Sequence, residues 1–295
     1  GTLTLAGTQG HNGNSEGVAI QGAAGSTNTL GHASTQTGAI TVRANTLHAD
    51  IGTTNRVLGT GTASFMPLAA SASFGAYGFS TRGLTFGTSL SGLTLGKAGN
   101  TANVTIASGY GASIAGPITV HGAAIAVDGA LTATGSTISL NASGAVTQGA
   151  DLTASTLALA GAGSFTLTRD TNSIGTLTGG TSGARLGRIA FTNAGALTVG
   201  GTNAEGLWST GDVKVETVTG DLSLTRDIHT LATTATAVVL NAARGTAAAT
   251  VMLVRGIIDG LFDTGAGWEI LDYKTDAVSA DELDEIPEFA ETPQS

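Results

Sequence analysis

The chain has no cysteine. That excludes a disulfide framework and a thiolate zinc site. Charge is scarce too: 11% of the 295 residues are charged and 4% are aromatic, where an ordinary globular enzyme has roughly 25% charged residues. No run of about 18 apolar residues occurs, so no segment reads as a membrane-spanning helix. Residue 1 is Gly, and no charged and apolar leader follows it. The chain therefore reads as a mature piece or an internal fragment.

Motifs for chemistry are largely missing as well. The five histidines (His11, His32, His48, His121, His229) are scattered without paired metal-ligand spacing and read as surface residues. Calcium-binding Gly-Gly-x-Gly-x-Asp repeats are absent, as is any basic patch with interleaved aromatics for nucleic acid. Gly92–Lys97 approaches a phosphate loop but is one residue short, and Ala98 stands where Ser or Thr is required.

What the chain does have is glycine, 45 residues of it, with abundant Ala and Thr. Glycine does not fall at every third place, which excludes a collagen-like helix. Aliphatic couplets recur instead, about every twenty residues: Ile118/Val120, Ile138/Leu140, Leu157/Leu159 and Leu197/Val199, with Leu177 near the missing place. Weaker couplets lie between them at Ile125/Val127, Phe165/Leu167 and Ile189/Phe191. Each couplet reads as a three-residue strand with two side chains on one face. Gly, Asn, Ser, Thr and Asp fill the gaps with turn chemistry. A strand so short buries its apolar face only when stacked on copies of itself, so the pattern predicts a solenoid in which Leu140, Leu159, Leu167 and Leu197 point inward.

Residues 1–60 carry sparser pieces (Leu3/Leu5, Val18/Ile20, Ile40/Val42, Leu47, Ile51) between long polar loops. Residues 61–92 hold more bulk, in Phe65, Met66, Phe74, Tyr77, Phe79 and Phe86. Val213/Val215 and Leu222/Leu224 are the last clear couplets, and Val238–Leu240 reads as one more. Two stretches that interrupt the repeat, Gly7–Glu16 and Ser64–Thr81, are the expected contact loops, because function gathers on loops held by rigid scaffolds. Asn141, Asn193 and Asn241 are either turn residues that accept left-handed angles or rungs of a stacked amide ladder; turn preference is the simpler account.

Charge is unevenly placed. Residues 251–295 hold eleven acids against two bases, Arg255 and Lys274, which accounts for the whole net charge of −9. The first 250 residues hold ten acids and ten bases. This composition break sets the expected domains: a β-solenoid over 1–245, a short β-hairpin over 246–279 and a disordered acidic tail over 280–295, where Pro287 and Pro293 and mutually repelling Glu and Asp oppose regular structure.

Several stretches resemble a known family: Gly92–Ile106, Ile114–Val120, Leu131–Ile138 and Gly144–Gln148, with Leu3–Thr8 and Gly17–Ile20 as longer-looped repeats. Over roughly residues 1–245 the text is similar to the large secreted exoproteins of the filamentous-haemagglutinin type. The resemblance implies an all-β fold, a right-handed parallel β-helix. It implies export through an outer-membrane secretion partner, display at the bacterial cell surface, and a host-cell or matrix ligand, glycans among the candidates. It carries over no catalytic residue and no cofactor.

Past the charge break, Val251–Asp259 and Gly267–Asp276 resemble the PD-(D/E)XK nuclease module at the C-terminus of bacterial helicase–nucleases. In that family the two stretches form a hairpin. The resemblance assigns Asp259 and Asp272 as carboxylates that hold Mg²⁺, a hard cation, and Lys274 as the group that activates water and steadies phosphate charge. Only about 35 residues match, and the family's flanking His and Gln/Tyr helices have no counterpart here. The expected function is therefore a non-enzymatic, secreted adhesin shaft that binds no nucleic acid and does not span a membrane. The alternative is a Mg²⁺-dependent DNA nuclease built on Asp259, Asp272 and Lys274. A third reading, a carbohydrate-active β-helix enzyme, needs acids or bases gathered on adjacent turns, and the sparse charge argues against it. At roughly 20 residues per coil, the solenoid would have on the order of 12 coils and a length of roughly 60 Å.

Overall fold

A computed structural model describes residues 1–7, 17–68, 73–200, 206–234 and 236–243, together with the backbones of three later strands, Val251–Leu253, Asp259–Asp263 and Trp268–Asp272. The expected acidic tail, 280–295, lies outside the described residues. Among the described residues the fold is all-β, without a helix. None is therefore long and apolar enough to cross a membrane.

The strands form sheets of 14, 10, 3 and 2 strands. Every ladder between named strands is parallel except the one joining Asp259–Asp263 to Trp268–Asp272. In the middle of the chain, each pass contributes a strand to the 14-stranded sheet and then one to the 10-stranded sheet, and the next pass pairs with both in the same order.

Three columns of side chains result. The first stacks Ala112 on Leu131 and Leu131 on Leu152. The second stacks Leu93, Ile118, Ile138, Leu157 and Leu177. The third stacks Ile125, Val146, Phe165, Ile189, Val213 and Val238. All three belong to one buried hydrophobic cluster, which also contains Leu140, Leu159, Leu167 and Leu197. Each fully buried aliphatic contributes about 1.5–3 kcal/mol of transfer free energy, so a strand with only two inward residues is held by its neighbours rather than by itself.

The first two columns meet at a bend. In Leu131–Ala142 one long strand carries both, and the register shifts between Ala133 and Thr137. Gly135 lies inside that shift at φ +68°, an angle that L side chains rarely adopt.

Two features depart from the sequence expectation. Thr27–Gly31 and Thr54–Leu58 are strands paired with each other, and Thr54–Leu58 pairs in turn with Leu84–Phe86. Their text hid them because Asn28 and Asn55 hold places where an aliphatic residue was expected. Asn28 Nδ2 donates to Asn55 Oδ1 at 2.7 Å, and Asn55 is buried. An amide rung therefore exists here, and not at Asn141, Asn193 or Asn241, which stack on Ala160, on Thr217 and against Glu216.

The expected contact loop Ser64–Thr81 is also shorter than its text. Ser64–Met66 lie in the strand Thr62–Met66, and Phe79 and Ser80 form another strand. Phe74 turns back and is buried, stacked on Phe79 at 5.2 Å, while Phe65 contacts Phe79 and Phe86. Tyr77 remains outside, 93% exposed. Of the other expected loop, residues 8–16 lie outside the described residues.

Candidate functional site

The chain past the charge break continues the ladders. Val251–Leu253 pairs in parallel with Leu222–Leu224, and Val239 and Leu240 pair with Leu261 and Phe262. Asp259–Asp263 then turns into Trp268–Asp272, with Asp259 opposite Asp272 in the antiparallel register. The two candidate residues thus hold opposite places in the register of one hairpin. Lys274 lies outside the described residues. Among the described residues no three His, Asp or Glu side chains gather in a metal-binding group.

The flank of the sheets carries a second feature, built by turn length. Between the third column and the first, successive passes turn through residues 107–111, 128–130, 149–151 and 168–172. Two three-residue turns therefore sit between two five-residue turns. The short turns form a recessed floor of Gly129, Ala130, Gly149 and Ala150. The long turns rise on either side, with Tyr110 on one and Arg169 on the other, and Phe86 also lines the cleft. The cleft is a shallow recess open to solvent, with a volume of about 680 Å³, within the range of small-ligand sites. Its walls stand three strand spacings apart, about 14 Å. The close stacking of a wall turn on a floor turn depends on glycine on both sides: a Cβ on Gly111 would lie 2.0 Å from Ala130 O, and one on Gly129 would lie 2.4 Å from Ala107 O.

The cleft's charges come from three successive passes. Asp151 Oδ1 accepts from Arg169 Nε and from the Thr171 hydroxyl, and Arg169 Nη1 donates to Gly149 O at 3.1 Å. The Thr171 hydroxyl and then Arg169 hold the Asp151 carboxyl below the usual range, so it is ionised at neutral pH. Asp128 makes no ion pair or side-chain hydrogen bond among the described residues. Acids and a base on adjacent passes are the cluster that sequence reading found too sparse to expect. It was hidden because Asp128, Asp151 and Arg169 lie about twenty residues apart and meet only through the stacking.

Above the cleft's far wall the same turn is clamped by buried amides. Asn172 Oδ1 accepts from Leu152 N at 3.0 Å, while its Nδ2 donates to Thr192 O at 3.0 Å and Leu167 O at 3.3 Å. One pass on, Asn193 repeats the device: Oδ1 accepts from Ile174 N at 2.9 Å and Nδ2 donates to Ile174 O at 3.0 Å. Asn193 is thus neither a plain turn residue nor a ladder rung; it bridges the backbones of neighbouring passes.

The remaining candidates are structural in their placement. Gly92–Leu95 is a strand with Leu93 and Leu95 buried, so it cradles nothing. His121 is half-buried, and burial pushes its pKa down. His229 stacks on Trp208 at 3.8 Å and lies 3.5 Å from Asp227, and Arg185 covers Trp208 at 4.7 Å. His11 lies outside the described residues.

Comparison with protein families, curated proteins and solved structures finds no match to this chain.

Proposed function

We propose that this chain is a segment of the shaft of a large secreted bacterial adhesin, folded as a right-handed parallel β-helix. One observation carries this reading: three in-register columns of buried aliphatics share one core over successive passes. From Ile118–Gly122 through Ser173–Gly179 the strands of these parallel ladders are joined by connections of only two to five residues, which supports winding of each pass round the same core. Nearest-neighbour stacking lengthens without limit, which suits a rod that holds binding surfaces away from a cell. Similarity of the repeats to filamentous-haemagglutinin-type exoproteins supports secretion, an outer-membrane secretion partner and a surface ligand on host cells or matrix.

Two measurements test the reading. Negative-stain images should show rods, and circular dichroism should be β-rich; a helical spectrum would end the idea. Labelled chain should also bind host cells or matrix above an unrelated β-rich control, and equal binding would remove the adhesin function.

The register of Asp259 against Asp272 favours a second reading, a Mg²⁺-dependent nuclease. Two carboxylate residues at opposite register places would suit a hard cation, which would supply Lewis-acid stabilisation of phosphate; Lys274 would steady the developing charge. Incubation with single- and double-stranded DNA and Mg²⁺ decides. No cleavage is expected, and cleavage lost in Asp272→Ala and Lys274→Ala would promote the nuclease over the adhesin.

A further inference from the structure

The recessed cleft over residues 128–130 and 149–151 has the shape and chemistry of a ligand site. We infer that it binds a short uncharged oligosaccharide, which would make it the contact surface of the adhesin; the inference rests on the shaft reading above for its biological setting only.

Four properties select this ligand class. First, the floor is Gly129, Ala130, Gly149 and Ala150, so no long side chain blocks a ring lying across it. Second, the lining is dense in hydroxyls and carboxylates, from Thr85, Thr88, Ser108, Ser113, Thr132 and Asp128. Thr85 Oγ1 already donates to Asn55 O at 3.1 Å; a polyhydroxylated ligand can pair with the remaining groups, which an apolar one would cover without partners. Third, Tyr110 and Phe86 offer apolar ring surface at the cleft, against which the C–H face of a sugar can be buried. Fourth, Asp128 and Asp151 against Arg169 leave the cleft with one net negative charge. The guanidinium is already held by Asp151 and Gly149 O. Sulfated and sialylated glycans therefore meet repulsion and no free cation.

A peptide is the poorer fit. Extended peptides dock by adding to an unpaired strand edge, and this floor is turn backbone whose N–H groups are committed: Asp128 N and Gly129 N donate to Ile106 O, and Gly149 N and Ala150 N to Val127 O. Asp151 is committed as an acceptor to Thr171 and Arg169, so it is not poised to give a proton to a leaving group, and we expect binding without turnover.

The test is calorimetric titration of the whole chain with chitotriose, cellotriose, maltotriose and lacto-N-neotetraose as uncharged probes. Sialyllactose, a heparin hexasaccharide and trilysine serve as comparators. At least one uncharged probe should bind at about 1 mM or tighter, and more tightly than every comparator. Tyr110→Ala and Asp128→Ala should each weaken it by about fivefold or more, a loss of the size expected for one polar or ring contact. Ala130→Trp, placed on the exposed floor, should abolish binding while the melting temperature holds. No binding of any uncharged probe would overturn the inference, as would tighter binding of a comparator, indifference to Ala130→Trp, or hydrolysis of a probe. The shaft reading fails separately. If sugar binds in the cleft but the chain adheres to no host cell or matrix, the adhesin is wrong and the site stands. If sugar binding is lost but adhesion persists in Ala130→Trp, the cleft stands as a sugar site, it is not the contact surface, and the adhesin stands.

Discussion

Asn172 offers the sharpest test of how the passes are joined. It is fully buried, and its amide meets three backbone groups, Leu152 N, Leu167 O and Thr192 O, from three consecutive passes. Gln148 also bonds to it. Asn172→Ala leaves one donor and two acceptors without partners. At about 1–3 kcal/mol for each unsatisfied buried group, and with water able to enter part of the vacated space, the loss should be about 2–5 kcal/mol. In a chain of this size that lowers the melting temperature by roughly 5–15 °C. Asn172→Asp is the informative companion. It keeps the acceptor for Leu152 N but turns the donating side into an oxygen facing Leu167 O and Thr192 O. At neutral pH it should cost at least as much as the alanine. Acidification should narrow the gap between Asn172→Asp and Asn172→Ala, because the protonated carboxyl regains a donor. Urea unfolding at two pH values, with hydrogen exchange at the Leu152 amide, reads both effects. A melting temperature unchanged to about 1 °C in Asn172→Ala, with Leu152 still protected, would refute the clamp.

Three further outcomes follow from the same geometry. Leu157 is fully buried between Ile138 and Leu177, so Leu157→Ala should cost about 2–5 kcal/mol in thermal unfolding, while the exposed Ser155→Ala stays within about 0.5 kcal/mol. Burial lowers the His121 pKa, so the unfolded chain takes up that proton first. His121 therefore adds no pH dependence well above the ordinary histidine value of about 6.5, and it subtracts stability as pH falls through and below that value. The slope of the urea midpoint across this window should flatten in His121→Gln, and an unchanged slope would show that the burial does not matter. Finally, inserting Ser-Gly after Gly129 lengthens one floor turn to match the wall turns. Loop closure of this size costs under about 1 kcal/mol, so melting should barely move while oligosaccharide binding is lost; retained binding would show that turn length does not make the cleft.

Much of the core was legible because two rules coincide there. Strand periodicity sends alternate residues inward, and parallel stacking places each inward residue on its counterpart one pass away. Ile118, Ile138 and Leu157 satisfy both rules with aliphatic side chains, so their text shows the repeat. The first column satisfies them with Ala112 and Ala133 beside Leu131 and Leu152, and alanine carries no clear hydrophobic signal. Asn28 and Asn55 break the rule of apolar residues inside, yet they pair with each other, so the strands they occupy are stable without looking like strands. Phe74 lies in a stretch that interrupts the repeat, so no couplet marks it as inward; its burial depends on Phe79 presenting a ring to stack on.

The cleft belongs to a different level. Neither Asp128, Asp151 nor Arg169 is unusual in its local text, and each turn is ordinary by itself. The recess exists only in the comparison of four turns, five residues long, then three, three and five, and that comparison has meaning only once the register decides which turns are neighbours. A change of one pass in the pairing would set a long turn beside a different partner and close the recess. In a stacked fold the core therefore follows from the repeat, whereas a binding surface follows from departures from it, and a departure is visible only against a known register. The amide clamps at Asn172 and Asn193 fix that register at the turn bounding the cleft. Residues that read as turn formers thus set both the alignment of the passes and the width of the surface between them.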